Sequence, residues 1–453
     1  MGDEPAGDTS SATATLVDFR AGFYRCITGW ADATFELADA VLCASGPVSS
    51  VPALSLEPAF RRGHGSLYKA LARGGVDAAA VRDLLVAHRP RDWPLVFAVD
   101  ASTWDRCDAE TSPERGFYYS ASKHSAGQPI VAGWSYQWVS QLGWSNDSWT
   151  APLDVVRLRP QDDPVAVTAG QVEDLVARLG ATGTTPVFVF DAGYDPVALT
   201  HDLADTAASL VVRIRDDRVF HTDPPAPQPG QAGRPRRHGE RRSCARPGDW
   251  PQPDENLTGE DFRYGTVRVS AWHGLHPKLA RRGRWATHDQ SPIVRGTVVR
   301  VEVEHLPNPT SRTTKTLWLW TAGPHLDLDI CWRAYLRRFD IEHTFRFVKN
   351  TLGWTTPRLC TPEQADTWTW LIIAAYTQLR LARGLVADHR LPWERRRPTG
   401  RLTPARVRRG FPRLGPTLGT PASPPKPSRA GPGRPKGTRR GRRTRHPAVK
   451  KAA

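Results

Sequence analysis

Three features are missing from this sequence: paired cysteines, a long apolar run and a basic N-terminus. The 453 residues include six cysteines but no Cys-x-x-Cys pair, so neither a structural zinc site nor a disulfide framework is predicted. The longest apolar run, WLIIAAY at 370–376, is too short to span a bilayer. The first residues, MGDEPAGDTSSATATL, lack the basic and apolar regions of a secretory signal. We therefore expect a cytoplasmic protein that does not use a membrane as a partner.

Acidic residues almost disappear after Leu391. Between Leu391 and Ala453 there are 19 Lys and Arg residues and one acid, Glu394, which gives this segment a net charge of +18. Because the whole chain carries +16, the residues before Leu391 are close to neutral. Such concentrated positive charge attracts polyanions, of which nucleic acid is the usual one. The alternative is a solvated tail without a specific partner, and under both interpretations residues 389–453 are predicted to be disordered.

The N-terminal part of the chain has a helical pattern. Apolar residues recur at intervals of three and four between Leu16 and His88, which predicts helices. We predict disorder for residues 1–14 and a helical N-terminal domain for residues 15–90. The basic segment FRRGHGSLYKALARG, at 60–74, is compatible with a DNA-binding helix-turn-helix module and equally with a plain helical bundle.

From residue 91 onward, strand and helix patterns alternate. Short runs of strand-forming residues end at Asp100, in LVFAVD, and at Asp191, in VFVFD, and helical segments lie between and after them. Residues 262–321 have only strand-like runs, which predicts an insertion with a sheet of its own. The predicted fold class is α/β, a mixed sheet flanked by helices and interrupted by an all-β insertion. Its predicted divisions are a core at 91–215 and 326–388 and the insertion at 216–325.

A third prominent acid lies in the segment YLRRFDIEHTFRFVK, residues 335–349, which is predicted to be one continuous helix. Tyr335, Arg338, Glu342 and Lys349 are spaced so that they return to nearly the same helix face. That face therefore combines a phenol, a guanidinium, a carboxylate and an ammonium group. The arrangement is compatible with a surface ion-pair ladder, which contributes little to stability, or with a metal ligand between two phosphate-binding cations.

The three acids together suggest a specific chemistry. Strand ends in an open α/β sheet line the crevice where ligands bind. Asp100 and Asp191 at two strand ends, with Glu342 on an adjacent helix, are suited to hold two Mg²⁺ or Mn²⁺ ions about 4 Å apart. Two such ions promote in-line displacement at phosphorus, because one activates the attacking oxygen and the other stabilises the leaving oxygen. Taken alone, each Asp has another interpretation, as a turn former or a helix N-cap.

The spacing of Tyr335, Arg338, Glu342 and Lys349, Y-x2-R-x3-E-x6-K, resembles the signature of a large group of bacterial insertion-sequence DDE transposases. The stretches VFAVDAST and FVFDAGYD resemble the first and second acid motifs of that group, and a β-rich insertion before the third acid is another of its features. The resemblance covers residues 90–385 and implies an RNase H-like core. It also implies cut-and-paste movement of an insertion sequence, through cleavage at terminal inverted repeats and strand transfer to target DNA.

The resemblance implies roles for particular residues. Asp100, Asp191 and Glu342 would be the catalytic acids that bind the two divalent ions. Tyr335, Arg338 and Lys349 would contact phosphates of the transposon end. Two subunits, one at each end, would form the complex with DNA.

Further candidate DNA contacts carry less specific signals. In members of that group an aromatic residue of the β insertion stacks on a base flipped from the cleaved end, and Trp272, Trp318 and Trp320 are the candidates here. The alternative is that these tryptophans pack in the core of the insertion. Lys123 lies in a predicted loop, and Arg434 lies in GPGRPKG, which resembles the Gly-Arg-Pro core of minor-groove-binding segments.

Two other functions remain open at this point. One is an inactive or domesticated transposase that binds DNA without cutting it. The other is an unrelated RNase H-like nuclease, which would cut DNA without joining strands. The intact acids argue against a pure binding protein.

Overall fold

The computed structural model describes nearly all of the chain between Ala6 and Val449. The described residues are 6–119, 129–226, 235–307, 314–324, 326–398, 400–427, 435–437, 441 and 443–449, without the side chains of residues 6–9. Lys123 and Arg434, two of the candidate DNA contacts, lie outside the described residues.

The described residues form helices at both ends of the chain and strands in the middle. The α-helices are α1 (Ala6–Cys26), α2 (Ala31–Cys43), α3 (His64–Arg73), α4 (Ala78–Ala87), α5 (Pro164–Leu179), α6 (Pro196–Asp202), α7 (Leu328–Arg338), α8 (Asp340–Asn350), α9 (Pro362–Leu381) and α10 (Pro404–Leu418). Among the described residues, no helix is both long enough and apolar enough to cross a bilayer.

The strands form one large mixed sheet and two short ribbons. They are β1 (Ile27–Gly29), β2 (Gly75–Val76), β3 (Val96–Asp105), β4 (Gly116–Tyr119), β5 (Ile130–Leu142), β6 (Thr150–Leu158), β7 (Val187–Phe190), β8 (Ser209–Ile214), β9 (Val219–His221), β10 (Arg241–Ser243), β11 (Glu255–Asp261), β12 (Gly265–Leu275), β13 (Gly296–Val303) and β14 (Thr316–Ala322). Among the described residues the large sheet has ten strands in the order β11-β12-β13-β14-β8-β7-β3-β5-β4, with β6 also paired to β5.

The centre of this sheet is parallel and buried. β7 pairs in parallel with β3 on one side and with β8 on the other. The four residues of β7, Val187–Phe190, are all buried, as expected for a strand that is covered on both faces. Helices flank the sheet, so the mixed α/β architecture predicted from the sequence is confirmed and is consistent with an RNase H-like fold.

The N-terminal helices share the core of the sheet. Phe19 of α1 is fully buried in the cluster that also contains the residues of the central strands. In the basic segment at 60–74, Arg61 forms an ion pair with Glu36 at 2.7 Å and Arg62 pairs with Asp32 at 3.3 Å. Both of these arginines therefore pair with acids of α2, as in a helical bundle, and DNA binding by this segment stays a prediction.

The first residues depart from the prediction of disorder for 1–14, because α1 begins at Ala6. Downstream, Leu16 and Phe19 of the same helix are fully buried. Once packing has nucleated a helix, each additional turn costs little, so the helix extends over the small residues that precede Leu16.

The insertion does not have a separate sheet, which corrects the sequence-based expectation for residues 216–325. β14 pairs in antiparallel fashion with β8, so β11 to β14 extend the central sheet, and only β9 and β10 form a ribbon apart. The physical reason is that β8 would otherwise present an unpaired apolar edge.

The basic tail at 389–453 is not disordered as a whole, which is a second correction. It contains α10, in which Val407 and Phe411 are fully buried. Arg408 is also buried, and it donates a hydrogen bond to the main-chain oxygen of Val41 at 3.0 Å, near the end of α2. Part of the tail's positive charge therefore stabilises unsatisfied carbonyl groups at a helix C-terminus.

The end of the tail also contacts the rest of the protein. The His446 amide donates to the main-chain oxygen of Glu110 at 2.8 Å, and buried Arg115 donates to the main-chain oxygen of His446 at 2.7 Å. Residues 443–449 therefore lie against the loop that follows β3.

The packing of α10 is testable by substitution. Phe411→Ala should lower the free energy of unfolding by about 3–5 kcal/mol, because a fully buried aromatic side chain is lost. Arg413→Ala, at an exposed position of the same helix, should change it by no more than about 0.5 kcal/mol. Denaturant titration followed by circular dichroism measures both, and equal, negligible effects would indicate that α10 is not packed.

Candidate active site

The first two acids lie side by side because of strand register. Val99 of β3 is level with Phe190 of β7, so the next residues, Asp100 and Asp191, lie at the same height on adjacent parallel strands. Each carboxylate accepts a hydrogen bond from the following amide: Ala101 donates to Asp100 at 2.8 Å and Ala192 donates to Asp191 at 2.7 Å. Adjacent strands are about 4.8 Å apart, so this register brings the two carboxylates into one neighbourhood.

The third acid is supplied by α8. The predicted continuous helix is in fact divided into α7 and α8 at Phe339, which corrects the sequence-based expectation. The backbone of Phe339 stays in the right-handed helical region, and the Glu342 amide donates to its oxygen at 3.1 Å. Because the chain direction changes little at Phe339, Arg338 at the end of α7 and Glu342 in the first turn of α8 stay close together along the chain.

Arg338 joins the acids directly. Its Nη1 donates to Oδ2 of Asp100 at 2.9 Å, and its Nη2 lies 3.8 Å from Oδ2 of Asp191. The side chain of Arg338 is only 10% exposed and that of Asp100 is 14% exposed. One nearly buried guanidinium therefore bridges the two carboxylates. Asp191 follows β7 as expected, whereas Asp100 lies inside β3, which continues to Asp105, so the expectation that Asp100 ends its strand is corrected.

The electrostatics place Glu342 in the same cluster. Burial raises the pKa of Asp100 to about 7; Arg338 lowers it, while the negative charges of Glu342 and Asp191 raise it. Burial would lower the pKa of Arg338, but the charges of Asp100, Asp191 and Glu342 raise it above its ordinary value. The three acids predicted from the sequence are thus close enough for each to influence the same guanidinium.

The ammonium group of Lys349 contacts other residues of the protein. Its Nζ donates to the main-chain oxygen of Thr103 at 3.0 Å and lies 5.6 Å from the ring centre of Trp354. Burial lowers the pKa of Lys349 to about 8, although Glu342 acts in the opposite direction. Lys349 therefore ties α8 to β3, and a contact between this ammonium group and DNA phosphate stays a prediction.

Arg213 is a site residue that sequence reasoning did not identify. Val212 of β8 is level with Phe190 of β7, so Arg213 comes next to Asp191 at the same edge of the sheet. Its side chain is exposed, and its positive charge acts to lower the pKa of Tyr335, although burial of that phenol raises the pKa overall. The sequence does show Arg213 as the only charged residue within the run SLVVRI. It does not show that this strand lies beside the one that precedes Asp191.

The tryptophans considered for base stacking are buried. Trp272 and Trp318 are 5% and 4% exposed, and both pack on Trp250, with ring centres 4.6 and 4.9 Å away. Trp320 belongs to the same cluster. The packing alternative is therefore favoured, whereas Phe262, whose ring lies near Arg337 of α7, is 56% exposed.

The donor set fits a divalent metal ion chemically. No group of three or more His, Cys, Asp or Glu side chains forms a recognisable metal site among the described residues, and a guanidinium contacts Asp100 and Asp191 instead. Carboxylate oxygens are nevertheless the ligands that Mg²⁺ prefers. Burial, and then the like charges of Glu342 and Asp191, raise the pKa of Asp100, and a bound cation would act in the opposite direction.

The burial of Trp318 gives a prediction that separates packing from DNA contact. Trp318→Ala should lower the free energy of unfolding by about 3–5 kcal/mol through loss of core contacts. Phe262→Ala should change it by no more than about 0.5 kcal/mol, because that ring is mostly exposed. Chemical denaturation of the two variants provides the measurement, and a neutral Trp318→Ala would contradict the buried cluster.

Comparison with known proteins adds an independent finding. The comparison with curated proteins gives no match. A family model described as DDE superfamily endonuclease matches residues 22–278, which is more than half of the chain. The match includes Asp100 and Asp191, whereas α7 and α8, with Glu342, lie beyond it. The chain therefore belongs to the DDE superfamily endonucleases.

Proposed function

We propose that this chain is a DNA transposase that cuts an insertion sequence at its terminal inverted repeats and joins the freed ends to target DNA. The observation that carries the proposal is the bridge from Arg338 to Asp100 and Asp191, with Glu342 acting on the same group. Two acids on adjacent strands and a third on α8, beside an arginine suited to phosphate, are the kinds of group that metal-dependent phosphoryl transfer uses. Family membership supports a nuclease or transposase type of activity.

Asp100, Asp191 and Glu342 would hold the divalent metal ions that this superfamily generally uses. Two bound Mg²⁺ or Mn²⁺ ions would supply Lewis acidity at the phosphate and lower the pKa of a water molecule. The protein fixes the acids through strand register and through α8, so that little reorganisation is needed when the substrate arrives.

The remaining site residues orient the substrate and the acids. Arg213 and Arg338 place guanidinium groups beside Asp191, which follows β7, and Arg338 also reaches Asp100 within β3; a guanidinium can grip a phosphate with two donors. Lys349 holds α8 against β3 through the Thr103 carbonyl, and so keeps Glu342 near Asp100. In this proposal Lys349 is a positioning residue.

The partners in this proposal are the transposon ends, the target DNA and a second copy of the chain. One subunit would engage each end, in the cytoplasm, and the exposed cations of the basic tail would add affinity that does not depend on sequence.

Cleavage is tested on linear duplex DNA that carries the terminal inverted repeats bracketing the gene. With Mg²⁺, the wild-type protein should cut at the repeat ends, and Glu342→Gln should reduce cutting by at least about 10²-fold, because the developing charge at phosphorus loses its stabilisation. End binding, measured by gel shift, should be largely preserved in Glu342→Gln. Glu173→Gln, at an exposed acid of α5, is the matched control and should cut normally.

The same assay separates the alternative functions. A protein that only binds DNA would leave the duplex whole at every metal concentration. A nuclease unrelated to transposition would cut but would not join the product ends to a supercoiled target. Normal cleavage by Glu342→Gln would remove that residue from the active site.

Substitution of Arg213 provides a second test, which concerns DNA binding. Arg213→Ala should weaken end binding and reduce the slope of log affinity against log salt concentration by about 1, as expected when one phosphate contact is lost. Arg268→Ala is the control. Arg268 is exposed on β12 between two buried valines, and its side chain lies on the face of the sheet opposite to that of Arg213. Fluorescence anisotropy at several salt concentrations measures both slopes, and identical slopes would exclude Arg213 from the DNA-binding surface.

A further inference from the structure

Arg338 contacts two carboxylates that a divalent metal ion would also bind. Its ion pairs in the described part of the chain are with Asp100, at 2.9 Å, and with Asp191, at 3.8 Å. Both of these carboxylates are among the three acids proposed to hold divalent metal ions. The same guanidinium is among the groups proposed to grip DNA phosphate.

Because Arg338 is nearly buried, its guanidinium requires a negative charge nearby. Its side chain is 10% exposed, so the guanidinium has little access to water that would stabilise it without a counter-ion. A buried charge that loses its partner is strongly unfavourable. Arg338 therefore needs an anion nearby, whether that anion is a carboxylate or a phosphate.

A divalent cation placed on Asp100 and Asp191 would change that balance. The cation would neutralise both carboxylates, and its positive charge would repel the guanidinium at short range. Arg338 would lose its counter-ions and would have to turn away from the acids. A DNA phosphate at the same edge would then supply the negative charge that the carboxylates no longer provide.

We propose that Arg338 exchanges between the acidic cluster and a DNA phosphate, so that metal binding and DNA binding reinforce each other. Without metal, the guanidinium pairs with Asp100 and Asp191 and is withheld from DNA. With metal on the acids, it is released to the phosphate. The inference rests on the proposed function for the identity of the two ligands, and it adds a coupling between them.

Linkage makes the coupling reciprocal. If metal raises DNA affinity by some factor, DNA raises metal affinity by the same factor, and couplings of about 5- to 150-fold are typical. In the protein without DNA, the guanidinium opposes the metal, because it must be displaced from the acids. Removing its charge should therefore strengthen metal binding, whereas removing a merely structural group would weaken it or leave it unchanged.

The first experiment measures Mn²⁺ binding to the DNA-free protein by electron paramagnetic resonance. Arg338→Gln, which removes the charge, should bind Mn²⁺ about 5- to 150-fold more tightly than the wild type. Arg338→Lys keeps a positive charge and should stay closer to the wild type. Arg337→Gln is the matched control, because Arg337 is the neighbouring buried arginine but pairs with Asp340, at 3.4 Å, and with the main-chain oxygens of Trp144 and Ser145, none of which is a proposed metal ligand. Its Mn²⁺ affinity should equal that of the wild type.

The outcomes separate the inference from the proposed function. Equal or weaker Mn²⁺ binding by folded Arg338→Gln, with binding intact in the wild type, would overturn the exchange alone. Absence of Mn²⁺ binding in the wild type and the variants would overturn both the metal site and the exchange. Circular dichroism establishes whether each variant is folded.

The second experiment uses the wild-type protein and so does not depend on a variant that folds. Phenylglyoxal modifies accessible arginine side chains, and peptide mass spectrometry gives the rate at Arg338. Mn²⁺ alone should increase that rate by releasing the guanidinium, and addition of duplex carrying the terminal repeats should reduce it again, with Arg337 as the internal reference. A rate at Arg338 that does not change with Mn²⁺ would overturn the proposal.

Discussion

The candidate site depends on the compensation of negative charge around the nearly buried side chains of Asp100 and Arg338. Asp100 and Asp191 are held level by the register of β3 and β7, and Glu342 is close enough to raise the pKa of Asp100. Like charges at this separation repel, and burial increases the cost. Arg338 offsets part of that cost through its contact with Asp100 and its approach to Asp191. A site with this balance is ready to accept further positive charge, which is the property expected of a metal-dependent phosphoryl-transfer centre.

The scaffold explains how the acids keep their positions. β7 lies between β3 and β8 in the buried centre of a ten-stranded sheet, and β14 covers the far edge of β8 within the described residues. On the helical side, Phe345 of α8 packs edge-on against Trp138 of β5 at 5.7 Å, and Lys349 binds the backbone of β3. Rigid elements therefore position the functional groups of both the strands and the helix, which favours an organised site over a mobile one.

The sequence was sufficient for the parts of the fold that local patterns determine. The buried strand Val187–Phe190 and the helix after Pro164 follow from β-branched runs and apolar periodicity, and both are confirmed. Asp191 follows its strand as the sequence pattern predicts, whereas Asp100 lies within β3, because pairing with β5 continues that strand to Asp105. The helical spacing that links Arg338 and Glu342 is interrupted at Phe339. What the sequence could not provide was pairing between distant segments. The alignment of β8 with β7, which brings Arg213 to Asp191, and the joining of β14 to β8 depend on tertiary contacts. The prediction of disorder for the tail was wrong because it rested on charge alone, although Val407 and Phe411 supply an apolar face.

The most direct test of the account is a crystal structure of the protein soaked in Mn²⁺, with the metal located by its anomalous scattering. The account predicts an anomalous peak bound by Asp100, Asp191 and Glu342, with the Arg338 guanidinium turned away from the first two. A peak elsewhere on the protein and none at these acids would contradict it, as would three carboxylates too far apart to share an ion.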